Sequence, residues 1–404
     1  MEISAGESST STKQRSLTNG SMECANKALI PGLPDELALL CLAMISHGYL
    51  GVLKCVCKRW RDVIGSEDYA SCKSRMGRCG DWVFFWDGGI ENQWKAYDPE
   101  ADRWHDIPSM PRLNNDEHFD FSCVSARNRF LVIGGAYGNC GPFNKPIVTN
   151  RVQSFDPFRQ EWSEVATMST PRAKFACNVI GGKVYVAGGC SLFSTYEELS
   201  SAEVYDPVND RWDDLPPLPN PMGRCFGISY NGKFHVLKSP YDQSTMEYSP
   251  LDRQWCSRDN MWLRPMNIRV EHKILVINDR MYAVKGKYAV KDKYEEKSVE
   301  AFNTQTGDWL HLGSVPPVTL PGRPPLYKYF LYGVCGLRNK LYIMGGSVWE
   351  VDRRGYDYMI GKLRTMRVCD LSSTPLQLRE TRPVPGHNHA WRILACASLE
   401  ERLS

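Results

Sequence analysis

The 404-residue sequence contains no apolar stretch that approaches the length needed to span a bilayer. It also lacks a charge of one sign: 49 Lys+Arg against 46 Asp+Glu leave a formal charge of only +3, with no long basic arm. No electrostatic footprint for nucleic acid or a membrane surface is therefore expected, and protein partners are favoured. Histidines are few and scattered, at 47, 105, 118, 235, 272, 311, 387 and 389, with no helix-based pair four residues apart to clamp a metal. The one close group, His387-Asn388-His389, reads as a turn or edge feature. No Gly-rich phosphate loop of the Walker type and no Gly-x-Ser-x-Gly elbow occurs. The expectation is a chain without catalytic residues, metal or cofactor. The 15 cysteines run from Cys24 to Cys396 behind no signal peptide, and Cys55/Cys57 and Cys72/Cys79 lack a matching second pair. This points to a reducing compartment, cytoplasmic or nuclear. Cys41, Cys55, Cys123, Cys177, Cys335 and Cys396 sit in apolar runs and are expected to pack as small buried hydrophobes.

What is present is ordinary globular chemistry, 42% hydrophobic and 24% charged, enough for one large domain and a small one. Residues 1–27 are rich in Ser, Thr, Gly and Lys and read as a flexible tail. The composition then changes at ALIPGLPDELALLCLAMI. Pro34 at a first helical position, with Asp35 and Glu36 in the first turn, predicts a helix from about Pro34 to Ile45. After a breaker at His47-Gly48, YLGVLKCVCKRWRDVI places Leu50, Leu53, Val56, Cys57, Trp60, Val63 and Ile64 near one face of a second helix, bent or broken along its length. A third helical piece is expected in SEDYASCKSRM. Helices this few and short cannot bury all their own apolar side chains, so an outer face should dock on something else.

Leu33-Pro34-Asp35-Glu36-Leu37 followed by Val56-Cys57-Lys58-Arg59-Trp60-Arg61 resembles the F-box, a helical motif that binds a Skp-type adaptor; the resemblance covers roughly residues 30 to 75 of a domain set at 28–76. It implies that Leu33, Pro34, Leu37, Leu50, Leu53, Val56 and Trp60 divide between adaptor contact and local core.

From residue 80 the period becomes two. The phrase YDPEADRW at Tyr97 returns as FDPFRQEW at Phe155, YDPVNDRW at Tyr205, YSPLDRQW at Tyr248 and FNTQTGDW at Phe302. Its tryptophans, 104, 162, 212, 255 and 309, are 58, 50, 43 and 54 residues apart. An apolar strand ending in paired glycines precedes most copies, as in FLVIGG, VYVAGG and LYIMGG; FHVLKS and MYAVKG take its place without the full doublet. Units of about 50 residues holding roughly four short strands predict a radial array of small sheets. The doublet, the Tyr-Asp-Pro turn and the downstream Trp resemble kelch repeats over nearly all of residues 80 to 400. The fold class is mainly β, a six-bladed kelch β-propeller preceded by a small α-helical domain. AWRILACASL, residues 390–399, is expected to supply the strand missing from the first blade and close the ring. In the sixth blade Leu376 or Leu378 stands in place of Trp.

Binding by loops is the expected use of such a ring. The long loops at 136–150, 190–201, 287–297 and 347–365 mix aromatic and charged residues, with Tyr137, Tyr196 and Trp349 as aromatic contacts. Arg112, Arg172, Arg224, Arg269 and also Arg323 recur about once per blade. They read either as a ring of guanidiniums for acidic groups of a target or as pairs holding neighbouring blades. Together the two resemblances are similar to the plant F-box/kelch family. They imply a non-catalytic substrate receptor of an SCF-type ubiquitin ligase, attached through a Skp-type adaptor to a cullin scaffold. Enzymes of phenylpropanoid and flavonoid biosynthesis are one target class the resemblance suggests. A kelch-propeller enzyme and a kelch scaffold outside any ligase are the alternatives.

Overall fold

The computed structural model describes residues 28–76, 81–87, 93–111, 117–138, 146–191, 197–238, 244–258, 272–288, 295–316, 328–330, 332–345, 347–351, 357–362, 364–384 and 393–399. The chain divides into two compact units, a helical one (to Ile45 and Tyr49–Met76) and one of sheets, which begins at Gly77 and also takes in Ser46–Gly48.

Four helices form the first unit: α1 (Asp35–Ala43), α2 (Leu50–Val56), α3 (Lys58–Ile64) and α4 (Glu67–Arg75). Pro34 caps α1 from outside the helix, with ψ 143°, rather than occupying its first turn. The second expected helix is two helices. Cys57 adopts an extended conformation, φ −160° and ψ 166°, and its Sγ accepts the Trp60 amide at 3.4 Å as the N-cap of α3. Because of this break Val56 and Cys57 leave the face shared by Leu50 and Ile64, which are buried with Leu29, Ala38, Leu42, Ala43, Tyr69 and Cys72. Ser66 caps α4 through the Tyr69 amide at 3.3 Å. From α4 the buried Lys73 ammonium donates to the carbonyls of Ala43, at 3.1 Å, and of Ile45, where the C-terminal end of α1 favours a cation.

Among the described residues, six four-stranded antiparallel sheets occupy the second unit, with two three-stranded ones besides. Sheet 2 (122–165), sheet 3 (176–215), sheet 4 (225–257), sheet 5 (272–315) and sheet 6 (333–380) are each local in sequence. Sheet 1 takes Trp82–Asp87, Gln93–Asp98 and Arg103–Asp106 from one end and Ile393–Leu399 from the other, paired from Trp82↔Leu399 to Asp87↔Ile393. The strand missing from the first repeat is thus supplied by Ile393–Leu399. Where the Gly-Gly doublet is absent from sheet 5, the strand does not stop: Arg280–Tyr288 and Glu295–Asn303 each reach nine residues. In sheet 6 the register Cys369↔Leu378 matches Tyr205↔Trp212, so Leu378 holds the tryptophan place.

Each sheet packs its two faces on the sheets before and after it. Phe84 and Trp94 of sheet 1 meet Phe130 and Phe155 of sheet 2; Leu131 and Val152 meet Val184 and Tyr205 of sheet 3; Tyr185 and Ala187 meet Phe234 and Val236 of sheet 4. Leu237 meets Met281 of sheet 5, Tyr282 and Val299 meet Leu341 and Ile343 of sheet 6, and Tyr342 and Met344 return to Val83 and Phe85 of sheet 1. The series closes on itself, and among the described residues each four-stranded sheet has a neighbour on both faces.

The recurrent phrase makes the joint. Its first aromatic and its Trp pair across a hairpin with ring centroids 5.0–5.3 Å apart in sheets 1 to 5. Asp98, Asp156 and Asp206 turn the chain by accepting amides two residues on at 2.9 Å. The sixth residue is left-handed in every copy: Asp102, Gln160, Asp210, Arg253 and Gly307 have φ between 46° and 72°. The indole N–H then reaches back to the linker that ends the preceding sheet. Trp162 donates to Pro108 O at 2.8 Å, Trp212 to Ala166 O at 2.8 Å, Trp255 to Pro216 O at 2.7 Å, and Trp104 to Arg382 O at 3.1 Å across the closure. Asp210 doubles the joint by accepting the Ala166 amide at 2.9 Å and the Tyr205 hydroxyl at 2.8 Å. Each bond contributes about 1 kcal/mol, whereas a buried aromatic removes roughly 150–250 Å² from water at about 25 cal/mol/Å², so packing supplies most of the energy and the bonds set the geometry.

The glycine doublets serve a second joint. Gly134 and Gly188 have φ of 58° and 65°, and a Cβ on either would stand 2.6 Å from the carbonyl of Arg172 or Met222. The carbonyl of Gly134 accepts His118 Nε2 at 2.8 Å, which places the ring proton on Nε2. His118 is buried against Tyr137, with ring centroids 4.2 Å apart, and burial lowers its pKa to about 4.

The Trp212→Phe substitution deletes the indole bond and leaves a smaller ring in the same core, so it should cost about 2–3 kcal/mol in urea denaturation. Asp210→Ala loses the oxygen that accepts two bonds and a residue tolerant of left-handed backbone, and should cost about 2–3 kcal/mol. Because His118 is held neutral in the fold, the unfolded chain binds more protons below pH 6.5, and stability should fall from there to about pH 4, by about 3 kcal/mol from this group. His118→Phe should flatten that dependence. It should not abolish it, since burial also lowers His105 and His235.

Candidate functional site

Helix α1 is apolar almost all round, and one unit can bury only one side of it. Ala38, Leu42 and Ala43 face the helical core; Leu37, at 50% exposure, and Leu40, Cys41 and Met44 form the opposite stripe at i, i+3, i+4 and i+7. On α2, Val52 and Val56 are 67% and 58% exposed and Cys55 lies with them, while Leu50 is fully buried. An apolar surface of this kind marks an interaction site.

Within the sequence-derived set, Pro34, Leu37 and Val56 are thus on the outer surface and Leu33, Leu53 and Trp60 are half-buried. Leu50 belongs to the core and is not available to a partner, because it opens α2 on the side that meets Ile64 and Tyr69. Trp60 is a clamp. Its Nε1 donates to Leu29 O at 2.7 Å, the Leu29 amide donates to Asp35 at 2.7 Å, and Arg59 pairs with Asp35. The two halves of the motif are tied to each other by Asp35, Arg59 and Trp60, which frees the residues between them to face outward. Leu40, Met44 and Val52 were not singled out from the sequence, although helical spacing from Leu37 finds the first two. Cys41 and Cys55 are exposed, not buried as expected, because they lie on these outer stripes; Cys335 is buried and Cys123 and Cys177 are half-buried.

In the sheet unit the arginine series has a different register. Gly135 N bonds Arg172 O at 2.9 Å and Gly189 N bonds Met222 O at 2.8 Å, so Arg172 corresponds to Met222 and not to Arg224. Counted back from the turns at Arg127-Asn128, Gly181-Gly182 and Asn231-Gly232, Asp120, Lys174 and Arg224 correspond, and their segments adjoin through Lys174 N to Asp120 O and Cys225 N to Lys174 O, both 3.0 Å. His118 and Arg172 share one place: Arg172 donates to Gly188 O at 2.8 Å, as His118 does to Gly134 O. The Arg172 side chain is fully buried, bonded to Ser201 Oγ at 3.0 Å and Glu203 at 2.6 Å, and Glu203 in turn accepts the amides of Ser169 and Thr170 at 2.6 and 3.2 Å. Burial lowers the guanidinium from its ordinary value and Glu203 opposes this. Arg172 therefore holds the fold and is not a contact for a target.

Arg224 is exposed and makes no ion pair among the described residues. Around it stand Lys174, 3.6 Å from Asp120, and Lys238, 3.4 Å from Glu198. Asp120 and Lys174 both have left-handed backbone, φ 53° and 56°, where the first strands of neighbouring sheets begin side by side. Tyr137 is buried in a short strand stacked on His118, so it is not a loop contact. Arg112, Arg269, Arg323 and Tyr196 lie outside the described residues; Trp349 falls in the strand Ser347–Val351, with its side chain outside the description.

The family model of the F-box domain matches residues 30–70, over the four helices, and that of the kelch motif matches residues 171–219, over sheet 3. An F-box/kelch-repeat protein of Arabidopsis thaliana is 42% identical over 393 residues, covering 94% of this chain and 99% of the relative. A second from the same plant is 33% identical over 213 residues, 52% of this chain and 54% of the relative, and SKIP30, also described as an F-box/kelch-repeat protein of Arabidopsis, is 32% identical over 258 residues, 62% and 71%. With a helical motif, a closed series of repeat sheets and a relative matched over nearly its whole length, the chain belongs to the F-box/kelch-repeat family.

Proposed function

We propose that this protein is the substrate-recognition subunit of an SCF-type ubiquitin ligase. The observation that carries the reading is the outer apolar surface of the helical unit, Leu37, Leu40 and Met44 on α1 and Val52 and Val56 on α2, left open while Asp35, Arg59 and Trp60 fasten the motif from within. A Skp-type adaptor covers that surface and connects the chain to a cullin scaffold. The sheet unit captures a protein target, with Arg224 at the centre of its contact region. No chemistry is required of the chain itself: holding a target beside an activated ubiquitin conjugate replaces a bimolecular encounter with a local one. Cytoplasm or nucleus is where it would act, and enzymes of phenylpropanoid and flavonoid biosynthesis are the target class we carry forward.

Direct binding to a purified Skp-type adaptor tests the first half. Leu37→Asp with Val56→Asp should weaken it by roughly 30-fold or more, as for loss of buried anchors at an interface, with the melting temperature unchanged. Leu50→Ala should instead unfold the helical unit. Equal adaptor affinity in the double variant and the wild type would refute the reading. For the second half, the double variant, which holds targets without passing them on, should retain proteins in a proximity-labelling experiment that Arg224→Glu loses. Arg224→Glu should leave stability unchanged, whereas Arg172→Ala strands the buried Glu203 and should cost about 3–5 kcal/mol.

A further inference from the structure

At the joint between sheets 4 and 5 both of the facing cross-strand pairs carry a buried carboxylate. At the joint between sheets 3 and 4, the cross-strand pair Tyr185↔Val204 faces the pair Val236↔Met246, all apolar. One step round the ring the corresponding pairs are His235↔Glu247 and Ala283↔Glu300. The correspondence follows from the phrase: Val184 pairs with Tyr205 and Phe234 with Tyr248, the residues that stack on Trp212 and Trp255. Strand alternation turns His235 and Glu247 to the side of Leu237, and Ala283 and Glu300 to the side of Met281 and Phe302, which are the residues that meet at this joint.

Carboxylates are therefore set on both sides of this joint, whereas between sheets 2 and 3 Leu131↔Ser154 faces Val186↔Glu203, with one carboxylate; Glu247 and Glu300 keep only 6% and 8% of their full exposure. Each has local partners on its own sheet. Lys233 stands 2.6 Å from Glu247 and Arg258 3.1 Å from it, with His235 Nδ1 at 3.9 Å; Lys285 pairs with Glu300 and lies 5.4 Å from the Trp309 ring centre. Ion pairs that stay within a sheet survive its separation from the next and gain water, whereas apolar contacts across a joint are lost outright. A second observation agrees. Phe226, on the side of its strand shared with Ile228 and Tyr230, remains 39% exposed, while Ala176 at the corresponding place in sheet 3 is fully buried.

We propose that the joint between sheets 4 and 5 is the yielding joint of the ring, the one at which the closed series of sheets opens locally before it unfolds. The inference stands apart from the ligase reading, because it rests on packing inside the sheet unit alone. Native-state hydrogen exchange of the full chain, read as protection factors by mass spectrometry, tests it. Amides in Lys233–Lys238 and Arg280–Tyr288 should be protected at least about tenfold less than those in Arg129–Ile133 and Lys183–Ala187. Giving the joint the residues of its neighbour, with His235→Tyr and Glu247→Val, should raise protection on both its sides about tenfold and leave sheets 2 and 3 unchanged. Should that variant fail to fold, Glu300→Met alone makes the same prediction from the facing sheet. Equal protection across the six sheets, earliest exchange at another joint, or unchanged protection in a folded variant would overturn the proposal.

Discussion

An indole N–H donated to a backbone carbonyl of the preceding linker is the contact on which the sheet unit depends. The bond contributes about 1 kcal/mol, far less than the aromatic surface beside it, but it is directional where the surface is not. At the four joints that carry it, it sets how far one sheet rotates from the next, while at sheet 6 Leu378 holds the place. This explains why a whole phrase recurs rather than a lone tryptophan. The aspartate turn and left-handed sixth residue aim the hairpin, the aromatic opposite supports the indole, and in sheet 3 Asp210 and Trp212 grip Ala166 by its amide and its carbonyl. At the closure, Asp102 and Trp104 take hold of Arg382 in the same way, 280 and 278 residues away.

The helical unit solves the opposite problem. Four short helices have more apolar surface than one small core can use. Asp35, Arg59 and Trp60 bind the motif's two halves together and Lys73 closes the end of α1, so α1 and α2 keep their shape with an uncovered apolar side. A surface left open in this way is what a partner would need, and it fits a separation of roles in which the helical unit meets an adaptor and the sheet unit meets a protein substrate.

Much of this was legible in the sequence because repetition makes errors visible. Five tryptophans in register marked the joint, the short first repeat called for the strand found at Ile393–Leu399, and the pairing Cys369↔Leu378 settles which leucine replaces the sixth tryptophan. The arginine series misled because STPRAKF and NPMGRCF align arginine on arginine only with a two-residue slip; their prolines, like a count of nine residues back from the turns at Gly181 and Asn231, put Arg172 opposite Met222. The break at Cys57 was not legible in position, since helical spacing continues smoothly through it and only the capping geometry ends α2. Cys41 and Cys55 were misjudged for a related reason: an apolar neighbourhood in sequence does not say which side of a two-sided helix is covered.

The central claim is that the outer side of α1 and α2 is the surface an adaptor covers. Cys41 and Cys55 lie on it as built-in reporters, and Cys256 is an exposed thiol on sheet 4 for comparison. Alkylation rates of these thiols, measured by mass spectrometry on the full chain with and without saturating Skp-type adaptor, give the most direct test. The account predicts that the adaptor slows modification of Cys41 and Cys55 and leaves Cys256 unchanged. Unaltered rates at Cys41 and Cys55 in a complex that demonstrably forms would contradict it.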